Sequence, residues 1–399
     1  NNTVYRDLPE YNLDNFTMND RLESQLEISN NDSKNLIVNA PAGFGKTLTA
    51  LLWNISNSKK KLIWVCPRNT VAESVYNSVT QELGVLSCNL KVELFLTSEV
   101  KKRNYESKDN IEFNSDIIIT NIDNFLSPNL NNSTLSRLYY LTQCDIVFDE
   151  YHEFVTEEAY FSLFTHMMKM RLGFTNSKTM LLSATPINIH SIIDPNLNCT
   201  SILPSENNHY PSAHNKEYKI NLIDESKIEQ KDNSLYIFNN ISKSQSFKSL
   251  NPDMDLFHSK FEPKRKEELF KKIYSSYNKS SERQLVKKSV CSTLVIQASI
   301  DVSFTHLYES VMSHFATLQR IGRVNRWGDI LEECSINIYK SKDRKEIITI
   351  DNLYDKKLTE SWFDFLDSKN LDRIMLDDLY LLYNEYNKQA EFKDTYYCT

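Results

Sequence analysis

Short, continuously apolar runs recur along the chain, and each stops at a small or polar cluster. Leu36-Ile37-Val38 leads into Ala40–Thr47, Leu62–Cys66 into Pro67–Thr70, and Asp116–Ile119 into Thr120–Phe125. Asp145–Phe148 leads into Asp149–His152, and Met180–Leu182 into Ser183–Pro186. Between them lie segments with apolar residues at helical spacing, such as Ala72, Val75 and Tyr76. This alternation predicts an α/β fold, a buried parallel sheet with crossover helices. Ligands bind such sheets at the carboxyl ends of the strands, where every polar cluster just named falls. The rhythm lapses over 195–216, where Pro195, Pro204 and Pro211 stand among asparagines as in a linker. It resumes with Leu235–Phe238, Asp255–His258, a strand and loop within Thr293–Phe304, and a helix expected over His314–Arg326. The expected organisation is a first domain over 1–205, a second over 206–345 and a short helical segment over 346–399. Met167, Met168 and Met170, and the helically spaced Tyr380, Tyr383 and Tyr386, are read as packing residues.

Three clusters carry chemistry. In Ala40-Pro41-Ala42-Gly43-Phe44-Gly45-Lys46-Thr47 a small-residue loop joins a strand to a helix. That is the context of a phosphate-binding loop. Glycines let successive N–H groups of Ala42, Gly43 and Gly45 turn inward at phosphate oxygens, and the helix N-terminus adds partial positive charge. Lys46 is placed for the terminal phosphates of ATP, and the Thr47 hydroxyl for Mg²⁺. The chain has only 6 glycines, so two in one loop is informative. Gln25, upstream, either reads the adenine edge or lies on a solvated helix face.

Asp149-Glu150-Tyr151-His152 puts an acidic pair directly after an apolar strand. Asp149 is placed in the nucleotide site to hold Mg²⁺, directly or through water, Glu150 to orient and deprotonate the attacking water, and His152 to report phosphate state. Ser183 and Thr185, after the next strand, are coupling residues. Gln319-Arg320-Ile321-Gly322-Arg323-Val324-Asn325-Arg326 is the third cluster. On one helix, Gln319 and Arg323 share a face and Arg326 follows. Guanidiniums so placed fork onto a phosphate and stabilise transition-state charge, which gives Gln319, Arg323 and Arg326 catalytic roles.

Composition narrows the partners. The net charge is −7, so nucleic-acid binding rests on local patches and backbone dipoles. The 7 cysteines share no Cys-x-x-Cys spacing, which suggests neither zinc nor disulfides and fits a cytoplasmic protein. No run approaches a membrane span and no signal-peptide pattern opens the chain. Residue 1 is Asn and not Met, which leaves open whether the chain is a trimmed part of a longer protein.

Gln25, Ala40–Thr47, Pro67–Thr70, Thr120–Phe125, Asp149–His152, Ser183–Thr185, Thr293–Phe304 and Gln319–Arg326 stand in the order of superfamily 2 helicase motifs. The chain resembles that superfamily, many of whose members also carry Ala at the Ala40 position. Pro67–Tyr76, Asp149–His152, His258–Phe261 and Gly322–Arg326 are most similar to the helicase part of the CRISPR-associated helicase-nuclease of type I systems. The resemblance implies two tandem RecA-like domains with ATP between them, and Asp301 as a nucleotide contact. It implies 3′-to-5′ translocation on single-stranded DNA, with Arg68, Thr120 and Thr293 as phosphate contacts. It also implies an RNA-guided surveillance complex and an HD-type nuclease as partners. None of the 8 histidines is followed by Asp, so the nuclease is expected in a separate chain or a domain outside this one. Two other readings stay open: a superfamily 2 DNA or RNA helicase of another pathway, and an ATP-gated nucleic-acid-binding switch.

Overall fold

The computed structural model describes residues 4–41, 43–96, 99–102, 115–126, 139–156, 158–174, 176–185, 200–202, 216–278, 288–296, 302–347 and 356–389. The chain separates into two compact units, Asn1–Pro211 and Ser212–Thr399.

The first unit runs α1 (Asp20–Ser29), β1 (Asn35–Asn39), α2 (Lys46–Asn57), β2 (Leu62–Cys66), α3 (Asn69–Val85), β3 (Val92–Leu96), β4 (Glu99–Lys102), β5 (Ile117–Asn121), α4 (Ile122–Leu126), β6 (Asp145–Asp149), α5 (Tyr151–Thr156), α6 (Glu158–Phe174), β7 (Thr179–Ser183) and β8 (Thr200–Ile202). Among the described residues these strands form an 8-stranded sheet in the order β4-β3-β5-β2-β6-β7-β1-β8. Only the β3–β4 pair is antiparallel. All five residues of β1, β2, β3, β5, β6 and β7 are buried, as in a parallel sheet covered on both faces. The helices show the complementary pattern: α3 buries Val71, Val75, Val79 and Leu83, one per turn. The Asn19 side chain accepts from Leu22 N at 3.0 Å and caps α1.

The second unit runs β9 (Glu217–Ile223), β10 (Ser234–Ile237), α7 (Ile241–Leu250), β11 (Asp255–Phe257), α8 (Pro263–Tyr277), β12 (Val290–Ser292), β13 (His306–Ser310), α9 (His314–Ile321), β14 (Ser335–Tyr339), α10 (Lys356–Ser368), β15 (Arg373–Met375) and α11 (Leu376–Gln389). Its strands form a 7-stranded sheet among the described residues, in the order β11-β12-β10-β13-β14-β9-β15. β15 alone is antiparallel, laid along β9. The tyrosines Tyr380, Tyr383 and Tyr386 and the indole of Trp362 are buried in this unit's core. Two parallel-dominated sheets flanked by helices are the tandem RecA-like architecture.

The helix expected over His314–Arg326 is shorter than that. α9 ends at Ile321, and Arg323 N and Val324 N close tight turns onto the carbonyls of Arg320 and Ile321. Beyond them Phe304 N donates to Arg323 O, and Asn325 N to Phe304 O, so Val324 forms an isolated bridge with Phe304. Asn325 itself adopts φ 43°. Gln319 therefore lies on α9 while Arg323 and Arg326 lie on the segment after it, not on one helical face. The strand expected within Thr293–Phe304 lies just ahead of Thr293, as β12.

Candidate nucleotide site

β7 is hydrogen-bonded on one side to β1 and on the other to β6. The chain leaves β1 into the glycine loop, β6 into α5 and β7 at Ser183. One edge of the sheet therefore gathers the loop, the acidic pair and the serine.

The loop is built by positive-φ glycines. Gly43 has φ 86° and Gly45 φ 90°, a region L side chains seldom enter. Gly45 caps α2, and a Cβ there would lie 2.3 Å from Gln25 Nε2. Gln25 is buried, and its amide donates to the Phe44 carbonyl. It thus supports the loop backbone directly. Lys46 opens α2 and its ammonium donates to the Ala40 carbonyl at 3.1 Å, folded back along the loop. Thr47 follows on the same turn, half-buried. Ala42 lies outside the described residues, as does Asp301.

Asp149 is the last residue of β6. Its Oδ1 accepts from Glu150 N at 3.0 Å and its Oδ2 from Trp64 Nε1 at 3.2 Å. Burial, then the Glu150 charge, push its carboxyl up to about 7, against the opposing pull of Lys46 and the two N–H donors. Glu150 adopts φ 47°, an uncommon conformation for a non-glycine residue, as the chain turns from strand to helix. Its Oε2 lies 3.4 Å from Ala184 N and 3.4 Å from His152 Nδ1. His152 Nδ1 is also 2.8 Å from Ser183 Oγ. Burial pushes the imidazole down to about 4, so it is neutral at pH 7. Ser183 Oγ donates to the Thr185 carbonyl at 2.9 Å and accepts from Thr185 N at 2.9 Å. With that hydroxyl proton committed and Glu150 able only to accept, Nδ1 carries the imidazole proton.

Further ties were not legible in the sequence. Tyr151 OH donates to Asn39 Oδ1 at 2.9 Å, joining the acidic segment to the strand before the loop. Ala40 N donates to Ser183 O at 3.0 Å. Trp64 and Glu153 are likewise functional candidates that no motif signalled; only their position beside a motif could have suggested them.

The residues proposed from sequence for nucleic acid divide. Arg68 ends the loop after β2 and pairs with Glu153 at 2.8 Å, its side chain 52% exposed. Thr120 is fully buried and its hydroxyl donates to the Phe95 carbonyl at 2.9 Å. Thr293 follows β12 and is buried.

In the second unit Arg320 is fully buried. It pairs with Glu309 at 3.0 Å, donates to Ser310 O at 2.9 Å and to Asn239 Oδ1 at 2.9 Å. These contacts tie α9 to the ends of β10 and β13. Arg323 is buried and Arg326 half-buried; Arg326 N donates to Ser303 Oγ at 2.9 Å, which fixes the segment after the helix.

Among the described residues no group of three or more His, Cys, Asp or Glu could hold a metal, and no helix is long and apolar enough to cross a membrane. A magnesium ion does not need such a cage: it takes one or two protein oxygens, substrate phosphates and water. The hard oxygens of Asp149 and Thr47, with the glycine loop between strand and helix, fit a Mg–nucleotide.

Residues 23–192 match the DEAD/DEAH box helicase family, and residues 230–329 match the C-terminal family of the CRISPR-associated nuclease/helicase Cas3. Together these matches make the chain similar to superfamily 2 helicases in both of its units. Within that class it is similar to the helicase part of Cas3. A Cas3 nuclease/helicase of Methanocaldococcus jannaschii is 25% identical, over 94% of this chain and 57% of the relative. T. fusca Cas3 with AMPPNP has the same fold, with a TM-score of 0.69 at 15% identity over 96% of this chain and 54% of that one. S. cerevisiae Dbp5 bound to RNA and ADP BeF3 gives 0.54 at 16% identity, over 83% of this chain and 85% of that one. The chain spans little more than half of its Cas3 relatives.

Proposed function

We propose that this chain is an ATP-dependent 3′-to-5′ translocase on single-stranded DNA, acting in the cytoplasm in type I CRISPR interference. The surveillance complex delivers DNA and an HD-type nuclease, on another chain or domain, cuts what this motor exposes. The observation that best supports the motor reading is the convergence of Lys46, Asp149, Glu150 and the His152–Ser183 pair at one sheet edge.

Each side chain then has a task. The ammonium of Lys46 draws the terminal phosphates into the glycine loop, and Gln25 holds that loop in shape while reading the adenine edge. A bound Mg²⁺ supplies charge neutralisation at the phosphates. Asp149 and Thr47 would hold it. Glu150, aimed by its left-handed backbone, takes the proton of the attacking water. Gln319, Arg323 and Arg326 stabilise the charge that spreads over the phosphoryl oxygens. His152, Ser183 and Thr185 relay the state of the phosphate to the loops that grip DNA, Arg68 foremost. Thr293 lies beside such a loop, and Thr120 acts by fixing the backbone at the end of β5.

The test is Glu150→Gln. Nucleotide affinity is expected to stay within about threefold while DNA-stimulated turnover falls at least a hundredfold, in the range of a lost general base. Retained turnover refutes the assignment. The likeness in fold to an RNA-bound protein, Dbp5, keeps a second reading in view. Equal stimulation by single-stranded RNA and DNA supports it, and no turnover with either favours an ATP-gated switch.

A further inference from the structure

The face of β2 turned toward Asp149 carries a donor that no step above uses. Trp64 pairs with Val147 in the β2–β6 register. Side chains alternate along a strand, so Val147 and Asp149 share a face, with Asp149 two residues further on. An indole spans that diagonal, and its Nε1–H reaches Asp149 Oδ2 at 3.2 Å. Trp64 is fully buried and Asp149 is 8% exposed. Oδ1 meanwhile accepts the Glu150 N–H at 3.0 Å. Each carboxylate oxygen has one N–H fixed on it and keeps a further lone pair.

An indole N–H only donates, so it cannot reverse its role as a hydroxyl or amide can. An aliphatic residue or Phe would fill most of that core space and leave Oδ2 desolvated without that bond, which is costlier for a charged group than for a neutral one. Trp53 provides the contrast. It too is fully buried, and its Nε1 has no hydrogen-bond partner among the described residues. Burying an indole in this unit therefore does not require a carboxylate beside it.

We propose that Trp64 is a positioning residue for Asp149: it sets the plane of the carboxylate so that the remaining lone pairs face the cation bound with nucleotide, and its indole N–H senses that cation. This rests on the reading of Asp149 as a cation-holding group and deepens it. When a cation draws electron density from the carboxylate, the indole–carboxylate hydrogen bond weakens, and the indole proton resonance moves upfield.

The experiment uses the full chain with isotope-labelled indoles, of which the sequence has 4. Asp149→Asn is expected to displace one indole N–H resonance strongly, and Mg²⁺ with ADP to displace the same one in the wild type. Trp64→Phe, keeping the ring but not the donor, is expected to weaken Mn²⁺ binding about tenfold in the presence of saturating ADP, as loss of an outer-shell partner does. Its ADP affinity in chelator is expected to be unchanged, and Trp53→Phe to bind Mn²⁺ like the wild type. The proposal is overturned if Asp149→Asn moves no indole resonance, a result that does not depend on Trp64→Phe folding. It is overturned on its own if Asp149→Asn loses Mn²⁺ affinity while folded Trp64→Phe keeps it. If Asp149→Asn keeps Mn²⁺ affinity, the cation reading itself fails and the proposal with it.

Discussion

His152 Nδ1 lies 2.8 Å from the Ser183 hydroxyl, and both side chains are buried at the ends of neighbouring elements. Ser183 continues the chain of contacts to Thr185 through its hydroxyl and to the glycine loop through its backbone carbonyl. Ser183→Ala cuts this link without touching Lys46, Asp149 or Glu150. ATP turnover is expected to stay within about fivefold of wild type while strand displacement falls more than tenfold. Parallel ATPase and unwinding assays check this; proportional loss of both would make Ser183 merely structural.

His152 also gives a pH signature. Its folded value of about 4 lies below the ordinary 6.5, so the folded state resists a proton that the unfolded chain accepts. Its contribution is fully present above pH 6.5 and is lost as pH falls toward 4, by about 3 kcal/mol. The Asp149 carboxyl, raised to about 7, acts in the opposite sense: as pH falls from 7 the folded state takes up a proton that the unfolded chain does not. Comparing wild type with His152→Asn holds the Asp149 contribution in common. Denaturant midpoints from pH 7 to pH 4 are expected to fall more steeply for the wild type. Parallel slopes would show that His152 is not buried neutral.

Gly45→Ala separates clash from strain. The clash is with the end of the Gln25 side chain, which can move, but φ 90° stays unfavourable for alanine. A loss of about 1–2 kcal/mol in stability is expected from the backbone alone. Gln25→Ala in the same chain should restore little of it. Full rescue by the double substitution would mean that the contact, not the backbone, demands glycine.

Arg68 and Glu153 form a half-exposed pair, of the kind worth at most about 1 kcal/mol. Glu153→Gln is expected to tighten single-stranded DNA binding by no more than about fivefold. Arg68→Ala should weaken it and flatten the slope of log affinity against log salt by about 0.7. An unchanged slope would remove Arg68 from the DNA contacts.

Arg320 and Glu309 are both fully buried. Arg320→Ala strands the carboxylate and should cost about 3–5 kcal/mol, read as an earlier unfolding transition of the second unit. Replacing both with Met should recover most of it; no recovery would show that the bonds to Asn239 and Ser310 matter more than the charge pair.

Much of this was readable in the chain because buried parallel strands leave an unbroken apolar run: Leu62–Cys66 was bounded to the residue, and β1, β6 and β7 within a residue or two. Strands without such a run escaped. β13 (His306–Ser310) and β14 (Ser335–Tyr339) mix polar and aromatic residues and were not marked, though they are central in their sheet. The helix of the arginine cluster stops at Ile321, with Gly322 as its C-cap, short of the span that the spacing of Gln319, Arg323 and Arg326 predicts. In fact the turns that follow it pair with Phe304, a contact between distant segments that periodicity cannot register. Within the site, the motif residues were legible by type and spacing. Trp64 and Tyr151 were not, since a buried aromatic looks the same in sequence whether or not its polar atom has found a partner.

The antiparallel β15 bears on where the second unit can be cut. Ile220 N donates to Asp372 O at 2.9 Å, and Ile374 sits opposite Tyr218 in the register. A protein stopped at 345 would present β9 as a bare outer rim, its amides and carbonyls open to a neighbour. Such a rim invites copies to zip together, so a trimmed motor would precipitate before its activity could be judged.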